Sequence, residues 1–136
     1  MVVHRRTSAV AAVGLALLAG CGSSSSGDLR AAFDDGVAAV RGTQDYEQLR
    51  SELVQILERL RATRHDGESR RLALRGFEAT LRGVQARIDF HENDSGNIEA
   101  ATRDTRRANA ELSKGAKLLR AAGRLLDIRV GSLGGY

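Results

Sequence analysis

The chain has 136 residues, 28% of them charged and 42% hydrophobic, with no proline, no tryptophan and one cysteine. That length suits one small domain with short appendages, and a body rich in Ala, Leu, Arg and Glu favours long helices over strands. The formal charge is +4, from 21 basic and 17 acidic residues, which is too nearly balanced to mark a nucleic-acid surface, so no nucleic-acid partner is expected.

Residues 1–7 carry His4, Arg5 and Arg6, and residues 8–20 form a small, apolar run that ends in Leu17, Leu18, Ala19 and Gly20. A basic start followed by a short apolar core is the pattern of a secretory signal. The run is too short to make a comfortable transmembrane span, which needs about 20 apolar residues. At its end, Leu18-Ala19-Gly20-Cys21 resembles the lipobox of bacterial lipoproteins. That resemblance implies that residues 1–20 are removed and that Cys21 becomes the first residue of the mature chain. Its sulfur then carries a diacylglycerol, which excludes disulfide, metal or nucleophile roles. The implied location is the extracytoplasmic face of the cell membrane, with the lipid as anchor. The plain residues leave two alternatives open, an ordinary secretory signal with Cys21 as a free thiol and an uncleaved anchor. The resemblance stops at this junction. Residues 21–27 then read as an acylated cysteine and a Gly/Ser tether, and six such residues reach only about 13 Å. The body is therefore expected to sit close to the lipid headgroups.

From Asp28 onward the apolar period is helical. The first segment, 28–41, spaces Leu29, Phe33, Val37 and Val40 along one face; Gly42 ends it and Thr43 can cap the next. The second, 44–64, carries Tyr46, Leu49, Leu53, Ile56 and Leu60 and breaks at His65-Asp66-Gly67, where Asp66 can cap the third. The third, 68–91, repeats Leu74, Phe77, Leu81, Val84 and Ile88. The fourth, 97–129, alternates Ile98, Ala101, Thr105, Ala108, Leu112, Gly115, Leu119, Ala122 and Leu126, a heptad seam. Ala101, Ala108, Gly115 and Ala122 recur every seventh residue of that seam, which predicts close approach of a neighbouring helix. Residues 130–136 read as a flexible tail.

Short connections between long helices predict an all-α fold, an antiparallel up-down-up-down four-helix bundle over 28–129. A three-helix core with a loosely attached first helix is the alternative. In the bundle, the start of the first helix, the 64–68 turn and the end of the fourth helix share one end. Residues near that end hold 12 basic and 7 acidic groups, while the rest of the body holds 7 and 10. A basic foot containing Arg59, Arg61, Arg64, Arg70, Arg71 and Arg75 is thus expected to face anionic headgroups. The competing expectation is an incidental asymmetry on a solvated surface.

Chemistry is thin. His65 and His91 stand about 39 Å apart if one helix joins them, and neither has a glutamate three residues before it, as di-iron bundles require. There is no Cys-x-x-Cys-His or His-Glu-x-x-His motif. Asp34 and Asp35 are adjacent and so point about 100° apart on a helix. His91 falls on the continuation of the third seam, where it is expected to cap the core. No catalytic residue, metal site or cofactor is therefore expected. The favoured function is a lipid-anchored structural or protein-interaction module of the cell envelope, with an envelope protein or a second copy as partner. A carrier enclosing a small apolar ligand is the second option.

Overall fold

A computed structural model describes residues 25–92 and 96–133. The fold is all-α, with helices α1 (Ser25–Gly42), α2 (Tyr46–Ala62), α3 (Glu68–Glu92) and α4 (Ile98–Leu126). Facing residues show that each consecutive pair is antiparallel. Along α1 and α2, Asp35 meets Arg59, Gly36 meets Ile56 and Thr43 meets Glu52. Along α2 and α3, Arg61 meets Glu78, Arg50 meets Gln85 and the Tyr46 ring stacks on His91. Along α3 and α4, Gly76 meets Leu119, Gly83 meets Leu112 and Arg87 meets Asn109.

The first helix belongs to the core. Leu29, Ala32, Phe33, Val37 and Val40 are all at most 3% exposed, which removes the three-helix alternative. Phe33 and Phe77 meet edge to face with centroids 5.7 Å apart. This crossing needs Gly36, because a Cβ there would stand 2.5 Å from Phe77 Cζ and 2.9 Å from Ile56 Cγ2.

Helix ends follow local chemistry, with small shifts from expectation. The cap of α2 is Asp45, whose carboxylate accepts from Gln48 N at 2.7 Å and satisfies an otherwise orphaned donor. The Thr43 hydroxyl instead donates to Glu52 at 2.8 Å. Asn97, at the expected start of the fourth segment, caps α4, accepting from Glu99 N and Ala100 N. The fourth helix stops at Leu126, short of the expected Arg129, because Asp127 turns left-handed (φ 53°, ψ 42°). Ile128 N then donates to Gly123 O at 2.8 Å, closing the helix in a Schellman arrangement.

That turn overturns the expectation of a flexible tail for 130–133. Val130 and Leu133 are only 4% and 6% exposed. Residues 128–133 run back along the bundle past the Arg41 guanidinium at Gly131, and Leu133 shares a cleft with Asn109, Leu112 and Ala116. Gly123 admits this return, since a Cβ there would strike the Val130 side chain and stand 2.7 Å from Ile128 O. The reason is ordinary burial: Val130 and Leu133 together offer apolar area that contributes about 1.5–3 kcal/mol per side chain when covered.

The closest pairing is α3 with α4. The α4 seam is buried from Ala108 to Leu126, and its partner is a stripe of small residues on α3: Ala73, Gly76, Ala79, Thr80, Gly83 and Ala86, all buried. Leu119 sits over Gly76, Leu112 over Gly83, and Gly115 of α4 takes the Thr80 side chain. The Thr80 hydroxyl, only 3% exposed as a residue, is satisfied by Gly76 O at 2.9 Å. The expected apolar stripe of α3 is there as well, but Leu74 and Leu81 are half-buried while Phe77, Val84 and Ile88 are buried.

Candidate functional site

The contacts gather the start of α1, the end of α2, the start of α3 and the end of α4 at one end of the bundle. Asp28 and Ala31 share an open cleft with Arg59, Ala62 and Thr63, and Phe33 lies against the backbone of Gly123. Cys21, the residue expected to carry the lipid, lies outside the described residues, as do Gly22 to Ser24. The helix begins at Ser25, three residues earlier than a tether reaching Gly27 would allow. Only residues 22–24 therefore separate Cys21 from α1.

The six arginines expected to form a basic foot divide by role. Arg59 pairs with Asp35 at 2.7 Å and Arg61 with Glu78 at 3.1 Å. Arg70 is spent on structure: its Nε donates to Leu60 O at 2.9 Å and to Thr63 Oγ1, and its other arm donates to Arg61 O at 2.9 Å. It thus covers the orphan carbonyls at the end of α2, where a cation also suits the helix dipole. Arg64, Arg71 and Arg75 are exposed, and their side chains make no hydrogen bond or ion pair among the described residues. So are Arg30, Arg120, Arg124 and Arg129, on the flanks of the same end. Sequence reasoning counted these four in the charge of that end without naming them as a surface; placing them needed the register of α4 and the turn at Asp127.

Other candidates stay apart. His65 is half-buried at the α2–α3 turn, and His91 at the far end of α3 is exposed rather than capping the core. The His91 ring lies on Tyr46, centroids 6.0 Å apart, and meets Phe90 edge-on at 5.5 Å. Asp34 and Asp35 are both exposed, and Asp35 is engaged by Arg59. Among the described residues no three His, Cys, Asp or Glu side chains come together in a way that could hold a metal ion. No helix among them is long and apolar enough to cross a membrane. The clefts beside Arg59 and beside Leu133 open to solvent rather than into the core.

The arrangement can therefore present cations to a flat anionic surface at one end, and helical faces to a partner along its sides and at the other end. No family model matches the sequence, and no curated protein or solved structure is significantly similar to it.

Proposed function

We propose that the chain is a lipoprotein held through Cys21 to the extracytoplasmic face of the cell membrane, its helical body serving as a structural or interaction module of the envelope. The observation that carries the reading is the run from the apolar segment into Leu18-Ala19-Gly20-Cys21. Two acyl chains on one sulfur would anchor the chain stably, at about 0.8 kcal/mol per buried methylene. The early start of α1 supports the same picture, because so short a connection keeps the lower end of the bundle at the headgroups. Arg64, Arg71 and Arg75, exposed and unpaired among the described residues, are then available to anionic lipid. Each basic group near such a surface contributes up to about 1 kcal/mol, fading over a Debye length of about 8 Å at physiological salt.

A core filled by Phe33, Phe77, Leu49, Leu53, Leu60 and Leu119 favours an interaction module over a ligand carrier. Fractionation of cells expressing wild type and Cys21→Ser, with membranes washed at high salt, tests the proposal. Wild type should stay with the membrane until detergent releases it, and Cys21→Ser should leave in the wash. A Cys21→Ser chain that resists the wash as wild type does would refute the lipid anchor.

A further inference from the structure

The first turns of α4 carry its seam past the point where the rest of the bundle covers it. Ala108 is fully buried, yet Ile98 is 81% exposed, Ala101 and Thr105 are half-buried, and Thr102 is exposed. Together with Phe90 of α3 they line an open, mostly apolar hollow rimmed by Arg106, which continues across the helix surface to Glu99 and Arg103. Among the described residues α3 ends at Glu92, and the returning tail reaches only the level of Asn109 and Leu112.

At 100° per residue, Ile98, Thr102, Thr105 and Asn109 fall within a stripe about 60° wide. Glu99 and Arg106 lie about 20° apart on one flank of it. The side chains of Glu99 and Arg106 have no hydrogen-bond or ion-pair partner among the described residues. An isolated Ile of this exposure would be unremarkable; a continued seam flanked by an unpaired acid and base one heptad apart is not.

We propose that this face pairs two copies of the chain, α4 against α4, antiparallel about a two-fold axis at Thr102. In an antiparallel pair a given flank meets the same flank of the other helix. Glu99 of each copy then lies within one residue of level with the partner's Arg106, giving two reciprocal ion pairs. Ile98 of each copy rests beside Thr105 and the aliphatic stem of Arg106 across the axis. A parallel pair would instead set this flank against the opposite flank of the second helix and leave both charges without a partner. The charge pattern thus selects both the partner and its direction, as flanking charges do in coiled coils. Arg103 lies further round the helix than Glu99 and stays at the rim. Three turns of helix per copy make an interface smaller than the roughly 1,200 Å² of a stable complex. Pairing in solution is therefore weak, and because the antiparallel arrangement points the two lower ends in opposite directions, it does not join neighbours standing on one membrane. This gives the interaction part of the proposed function a definite partner, and it needs nothing from the lipid. A monomeric chain would remove the pairing and leave the anchor intact, whereas an unlipidated chain would do the reverse.

The test is disulfide trapping in the full chain carrying Cys21→Ser, which leaves an introduced thiol alone. Thr102→Cys should give a covalent dimer on mild oxidation, and Arg107→Cys, on the opposite side of α4, should stay monomeric. Adding Arg106→Glu to the Thr102→Cys chain should cut the trapping rate about tenfold, and adding Glu99→Arg as well should restore it. All these positions except Glu99 and Thr102 leave the cap of α4 untouched, and unchanged thermal melting would show that every variant folds. Equal trapping at 102 and 107, no trapping at 102, or indifference to charge reversal would overturn the proposal.

Discussion

Replacing Gly115 by alanine separates two explanations of the small residues on α4. If they are present only as good helix formers, the change should stabilise the protein, since alanine is better than glycine in a helix interior by about 0.5–1 kcal/mol. The structure argues for the opposite sign. A Cβ on Gly115 would strike the Thr80 hydroxyl and stand 3.0 Å from both Gly76 O and Thr80 N. Ordinary Cβ contacts begin at 3.4 Å, so α3 and α4 would have to separate by several tenths of an ångström in the middle of their closest contact. Two of these neighbours are backbone atoms and cannot rotate away. Moving the third would break the Thr80 bond to Gly76 O at 2.9 Å in a residue that is 3% exposed. Overpacking of this kind costs about 1–3 kcal/mol, and after the propensity gain a net loss of about 0.5–2 kcal/mol remains. At about 4 °C per kcal/mol for a domain of this size, Gly115→Ala should melt some degrees below wild type in a circular-dichroism scan. Gly42→Ala is the control, because a Cβ there meets nothing within 4 Å, and it should melt at or above wild type. A Gly115→Ala protein that gains stability as Gly42→Ala does would refute the close-contact account.

Other substitutions probe the ends, the tail and the foot. Gly123→Ala should push Val130 and Ile128 off the bundle, destabilise by about 1–3 kcal/mol and raise hydrogen exchange and proteolysis over residues 128–133; unchanged protection there would remove the tail packing. Asp127→Gly should stabilise by about 0.5–1 kcal/mol, because the left-handed turn strains an L-residue; a fall in the denaturation midpoint would contradict this. Losing the α2 cap in Asp45→Ala should cost about 1 kcal/mol by chemical denaturation, and a neutral result would show that Thr43 or water replaces it. Combined Arg64→Gln, Arg71→Gln and Arg75→Gln changes in the Cys21→Ser chain should abolish cosedimentation with anionic vesicles at low salt, while Arg59→Gln should change it little because Asp35 already holds that group. Equal binding by both would reduce the basic foot to an incidental asymmetry.

The four helices were legible in the sequence because each carries its large apolar residues at a spacing of three and four, and the breaks fall at Gly42, at Gly67 and after Glu92. Two features were not. The small stripe of α3, Gly76, Thr80 and Gly83, escapes a search for large apolar residues, yet it is the surface into which Leu112 and Leu119 drop. Its signal was the four-three spacing of the small residues, the complement of the α4 seam. The docked tail was hidden because Gly131 and Ser132 between Val130 and Leu133 look like linker. Only the left-handed turn at Asp127 and the missing side chain of Gly123 show that the chain can double back. The charge of the lower end was legible as a sum, but its division was not. Three of the six named arginines are engaged by Asp35, Glu78 and the carbonyls of Leu60 and Arg61, and those pairings depend on helix register rather than on composition.

The central claim is the covalent joint at Cys21, and mass spectrometry of the N-terminal tryptic peptide from native-host membranes tests it most directly. The account predicts a peptide running from Cys21 to Arg30, with a diacylglyceryl group on the cysteine sulfur and no trace of residues 1–20. A peptide running from Thr7 to Arg30 with a free thiol, or one cut elsewhere and unmodified at Cys21, would contradict it.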